Sequence, residues 1–118
     1  MTQEKKVPSL ETCRKLREAG FPQSTERWWQ ENLLKGWLLY PNETMHTNDD
    51  ARSNKICSAP DVSELLEALP AEWHGEYLFL FKQVDGKWDA AYSLERTIES
   101  DNPAEALALL WLELNKKA

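Results

Sequence analysis

The chain has 118 residues, of which 42% are hydrophobic and 29% charged, a balance that supports one folded core and excludes both wholesale disorder and a second independent domain. Its formal net charge of −6 excludes a general nucleic-acid surface or an anionic-membrane surface, because both depend on clustered Lys and Arg. No apolar run reaches the roughly 18 residues of a membrane span, and the charged start from Met1 to Lys6 lacks the apolar stretch of a signal peptide, so the expectation is a cytoplasmic single domain over residues 1–118.

Ser9 is placed to cap a helix over Leu10 to Ala19, with Leu10, Cys13 and Leu16 at threefold spacing and Glu11 beside the positive end of the dipole. Gly20 ends it. Phe21 can fold back over the last turn as a Schellman-type cap requires, and Pro22 prevents continuation. Arg27 to Gln30 and Gly36 to Tyr40 read as two strands of a hairpin with a loop around Glu31 to Lys35. A single helix is the competing reading, and the aromatic enrichment, Gly36 and Pro41 weigh against it.

Residues 41–55 form a polar stretch with hardly a core-forming side chain, the composition of an exposed loop. Ser58 or Asp61 then caps a second helix carrying Val62, Leu65, Leu66 and Leu69 on one stripe, ended by Pro70. Between Tyr77 and Leu94, Asp85-Gly86 separates two β-type runs and reads as a two-residue type I′ turn. That register opposes Val84 to Lys87, Gln83 to Trp88, Phe81 to Ala90, Phe79 to Tyr92 and Tyr77 to Leu94. Tyr77, Phe79, Phe81, Trp88, Tyr92 and Leu94 then share the expected core face, and Lys82 pairs across the strands with Asp89 on the other. Asp101 or Asn102 caps a last helix with Pro103 in its first turn and Leu107, Leu110, Trp111 and Leu114 on one stripe. Leu109 and Leu112 occupy its other side, so this helix is either central in the fold or part of a partner surface.

The elements describe an α+β fold, a small antiparallel sheet of two hairpins packed with about three helices in the order α-ββ-α-ββ-α. The second half weakly echoes the first: Lys35, Gly36 and Trp37 have a counterpart in Gly86-Lys87-Trp88, and Ser58-Ala59-Pro60 in Asp101-Asn102-Pro103.

Motifs that carry chemistry are scarce. Cys13 and Cys57 form no CxxC or Cys/His cluster and read as half-buried thiols of a reducing compartment, Cys13 as a small core residue. His46 with Asp49 and Asp50 is the one local group resembling metal ligands, yet solvated loop charges explain it better, and no metal site is assigned. His74, near Glu72 and Glu76, is placed in a turn between the second helix and a strand. No G-x-S-x-G element is present, and Gly20, Gly36, Gly75 and Gly86 are all isolated, which excludes a Gly-rich phosphate loop. Glu64 and Glu67 read as a solvated helix face rather than a catalytic acid pair. Trp28, Trp29 and Trp37 are the ligand-binding candidates, an aromatic platform for a sugar, a base or a cationic ligand, although core filling is the commoner role for at least two of them.

The run Thr12 to Gln23, the segment Ile56 to Pro60 leading to Glu64 to Pro70, and the closing Ala104 to Leu112 together resemble small uncharacterised proteins from phages and prophage-bearing bacteria. The resemblance spans about half the chain, on capping and packing patterns, and it brings no site residues or activity with it. It implies a mobile-element context. The functional expectation is a small non-enzymatic accessory protein that binds another protein, or a homodimer formed through the last helix, with no cofactor. A small-ligand module built on an exposed Trp is the alternative.

Overall fold

The computed structural model describes residues 6–23, 25, 27–32, 36–41, 56–93 and 97–115. It is an α+β fold with helices α1 (Leu10–Glu18), α2 (Val62–Ala68) and α3 (Pro103–Leu114). The strands are β1 (Arg27–Asn32), β2 (Gly36–Pro41), β3 (Ile56–Ser58), β4 (Glu72–Trp73), β5 (Glu76–Tyr77), β6 (Phe79–Lys82), β7 (Trp88–Ala91) and β8 (Ile98–Ser100). They form two three-stranded antiparallel sheets, ordered β2-β1-β3 and β6-β7-β8, and the small hairpin β4-β5.

Local chemistry sets the helix ends. Ser9 caps α1 by accepting from the Thr12 N–H. At the other end the Phe21 N–H donates to the Leu16 carbonyl at 2.9 Å and the Gly20 N–H to that of Arg17 at 3.1 Å, a Schellman motif in which Gly20 takes a φ of +94°. Asp61 and Glu64 form a capping box on α2, and the Asn102 side chain accepts from the Ala104 and Glu105 N–H groups to open α3 behind Pro103. Ser58 is therefore strand rather than cap, and Glu64 does not belong to a bare solvated face.

The first hairpin forms as its aromatic composition suggests, with Trp28 opposite Tyr40, Trp29 opposite Leu39 and Asn32 opposite Gly36. Strands β3 and β8 and the hairpin β4-β5 are additions to the expected element order. Each is two or three residues long, too short for alternation to mark it in sequence. The loop expected over residues 41–55 lies, beyond Pro41, outside the described residues.

The second hairpin departs from the expected register by one residue. Phe79 lies opposite Ala91, Leu80 opposite Ala90, Phe81 opposite Asp89 and Lys82 opposite Trp88. The cause is the turn. The Gly86 N–H donates to the Gln83 carbonyl at 3.0 Å and the Gln83 N–H to the Lys87 carbonyl at 2.7 Å, so the loop is the three residues Val84, Asp85 and Gly86, with Gly86 at φ +93°. A type I′ turn needs positive φ at both central residues, and Asp85 does not have it. The tight two-residue turn sits instead at His74-Gly75, φ 52° and 83°, between β4 and β5.

A one-residue slip exchanges the faces of a strand. Leu78, Leu80, Ala90, Tyr92 and Ile98 therefore meet the helices, while Phe79 and Phe81 point away and Tyr77, paired with Glu72 in the β4-β5 hairpin, is exposed, so the all-aromatic core face and the Lys82–Asp89 pair are not formed. Leu66 also faces outward, leaving Val62, Leu65 and Leu69 as the packed stripe of α2.

Two cores share α1. Leu16 joins Phe21, Leu65, Leu69, Ala90, Tyr92 and most of α3, where Phe21 and Trp111 meet edge to face at 5.0 Å, a geometry that adds about 1 kcal/mol to their burial. Cys13, three residues earlier, joins Val7, Trp29, Cys57 and Ala59 beneath the first sheet, with Leu10, Trp37 and Leu39 packed around them. Helix α3 packs against α1, α2, β7 and β8, and that central position accounts for its apolar circumference. The repeat echo does not extend to topology: the third strand pairs with the first strand of its hairpin in one sheet and with the second in the other.

Candidate functional site

Trp28 and Trp29 are buried on opposite faces of β1, and the Trp29 indole N–H donates to the Pro8 carbonyl at 3.4 Å. Both fill core. Trp37, on β2, is half-buried, and the Arg14 guanidinium lies 4.9 Å from its ring centroid, a cation–π contact between α1 and the first sheet. The three tryptophans thus do not form one platform, and the accessible side of Trp37 already carries a cation.

Below Trp37 lie the two thiols. Cys13 donates to the Pro8 carbonyl at 3.5 Å, and burial holds its thiol far above the ordinary range, the neighbouring Cys57 adding to the effect. Burial pushes Cys57 up to about 11, with the Arg17 and Arg14 guanidinium groups pulling the other way. Both thiols are protonated at neutral pH, which removes the nucleophilic form.

The register shift creates a surface that the sequence reading placed indoors. On the outer face of the second sheet Phe79 and Phe81 stack at 5.7 Å, with Phe81 43% exposed; Tyr77 on the adjoining β4-β5 hairpin is 73% exposed, and Val84 stands fully exposed at the turn. Across the strands from Phe81, on the same face, runs a polar ladder. Gln83 Nε2 donates to Asp89 Oδ1 at 2.7 Å and to Glu99 Oε2 at 2.9 Å, and Lys87 Nζ meets Glu99 at 3.3 Å. The Gln83 and Lys87 contacts hold the Glu99 carboxyl below its usual range, and Glu99 in turn raises Lys87. The arrangement is apolar at its centre and carries carboxylates at its edge, with Glu72 and Glu76 beside Tyr77 and Asp85 in the turn.

His74 lies in the β4-β5 turn as expected, its ring edge to face with Trp73 at 4.9 Å. His46, Asp49 and Asp50 lie outside the described residues. Among the described residues no group of three or more His, Cys, Asp or Glu side chains could hold a metal ion, and no helix is long and apolar enough to cross a membrane.

Fold and surface together define a small α+β protein with an exposed aromatic sheet face. Comparison of the chain with protein-family models, with characterised proteins and with solved structures finds no match.

Proposed function

We propose that this is a small non-enzymatic accessory protein that docks a basic partner protein on the aromatic face of the β6-β7-β8 sheet. The observation that carries the reading is the outward pair Phe79 and Phe81 on a sheet whose other face is core, flanked by exposed Tyr77 of the β4-β5 hairpin and Val84 of the turn. Aromatic side chains anchor protein interfaces because they offer large apolar area at little conformational cost. Acidic groups around the patch and a chain charge of −6 favour a cationic partner and oppose self-association, which would bring two like-charged surfaces together. The resemblance to phage and prophage proteins adds a mobile-element context and a cytoplasmic setting to this reading.

The test places a photo-crosslinking benzoylphenylalanine at Phe81 and, as control, at the exposed Glu67 on α2, each in the full chain in an extract of the source cells. The expected outcome is one Lys/Arg-rich protein crosslinked from position 81 alone, with the adduct weakened as salt rises from about 0.1 to 0.5 M because the rim charges are screened. Identical adducts from both positions, or a species of twice the chain mass, would overturn the proposal.

A further inference from the structure

A cleft of about 680 Å³ opens along α1, lined by Leu10, Glu11, Arg14, Lys15, Arg17, Glu18 and Cys57. It lies apart from the aromatic sheet face and does not depend on it. Its volume is within the range of small-molecule sites. Its charge runs against that of the chain: three cations and two carboxylates line it, and Glu11 is engaged with Lys15 at 3.6 Å. Arg14 differs from the other cations. It lies over the Trp37 ring at 4.9 Å, and no carboxylate pairs with it among the described residues. A cation–π contact uses none of the guanidinium's N–H donors, so they stay available to an oxyanion. Arg17 lines the same cleft, and both guanidinium groups act electrostatically on the Cys57 thiol in its wall. Leu10 and the protonated Cys57 supply an apolar wall beside them.

We infer that this cleft binds a small organic oxyanion, a phosphate or carboxylate carried on an apolar body, with Arg14 as the principal anchor oriented by Trp37. Arg17 and Lys15 supply supporting positive charge, and the apolar wall takes the body of the ligand. Glu18, the remaining carboxylate, opposes the anion and limits its affinity.

Titration of the full chain with phenyl phosphate and with inorganic phosphate, followed by ¹⁵N NMR of the Arg14 Nε–H and the Trp37 indole N–H, tests this. Sodium chloride at matched ionic strength is the reference. The expected result is saturable movement of both signals, tighter for phenyl phosphate than for inorganic phosphate. Arg14→Ala should weaken binding roughly tenfold, the loss of one charge-assisted contact, and Arg14→Lys by less, because it keeps the charge and loses the planar fork. Glu18→Gln should strengthen it by about two- to threefold. Arg14 is exposed and a cation–π contact such as that with Trp37 is weak at an exposed site, so both variants should stay folded with only a small shift of the melting curve. Shifts reproduced by sodium chloride, equal affinity of Arg14→Ala, or saturation confined to residues outside the cleft would overturn the inference.

Discussion

Glu105 offers the sharpest test of how this fold is joined. The N-cap residue of α1, Ser9, has its N–H bonded to Glu105 Oε1 at 2.8 Å, and the Thr12 hydroxyl donates to Glu105 Oε2. In an ordinary capping box the reciprocal carboxylate comes from the third residue of the same helix, but α1 has Thr12 there. A residue of α3 supplies it from 96 positions away. Glu105 is free for this because its own N-cap, Asn102, gives its N–H to Ser100 Oγ and its side-chain amide to the Val7 carbonyl at 2.8 Å. One carboxylate thus faces the positive ends of two helices. Hydrogen bonds to a charged group contribute about 1.5–3 kcal/mol each, and partial exposure places these near the lower end. Glu105→Ala should therefore cost about 2–3 kcal/mol, and Glu105→Gln, which keeps an acceptor at the same reach, about 1 kcal/mol. With a urea slope of about 1.5 kcal/mol per M, the alanine variant lowers the midpoint by about 1.5 M without changing the slope. Thr12→Val in the same background gives a double-mutant cycle, with an expected coupling of about 1 kcal/mol. A midpoint within about 0.3 M of the parent, or no coupling, would refute the argument that Glu105 joins the two helices.

The register makes its own demand: Tyr77→Ser and Phe81→Ser should each cost less than about 1 kcal/mol in urea melts, whereas a core-facing register would make each a loss of several. Leu107→Ala, at a fully buried position of α3, should cost about 2–5 kcal/mol, while Leu66→Ala on the outer side of α2 stays below about 1. Gly86→Ala should lose about 1 kcal/mol from backbone strain alone, since its φ is +93° and nothing lies within 4 Å of an added Cβ; a neutral result would remove the three-residue turn. The Cys57 thiol has its pKa raised from 9.0 to about 11, so folding favours its protonated form. That contribution is intact below pH 9 and is lost as the pH rises toward 11, and Cys57→Ala should flatten the alkaline fall in stability measured by urea titration.

Sequence alone determined the elements whose signals are local. Ser9 and Gly20 mark the ends of the first helix, and the pairs Ser58/Asp61 and Asp101/Asn102 bracket the starts of the other two, because capping is satisfied within four or five residues; Trp28, Trp29 and Pro41 marked the first hairpin through composition. The class, α+β with three helices, followed from those elements. What escaped was decided across the chain. Alternation could not choose the register of the second hairpin, since Leu78 and Leu80 on one side are as apolar as Phe79 and Phe81 on the other. The choice fell to one extra residue in a turn and to which face fits against α3.

The same limit hid the candidate sites. The aromatic face exists only through that slip, and the cleft only because α1 brings Arg14 over Trp37, 23 positions on in the chain, and Cys57 to its floor. Charge runs and lone tryptophans carry no address in sequence. Packing supplied it: burial consumed Trp28 and Trp29 and left Trp37 half-covered by a guanidinium. Local hydrogen bonding fixed where the elements begin and end, and long-range burial decided which of their faces meets solvent.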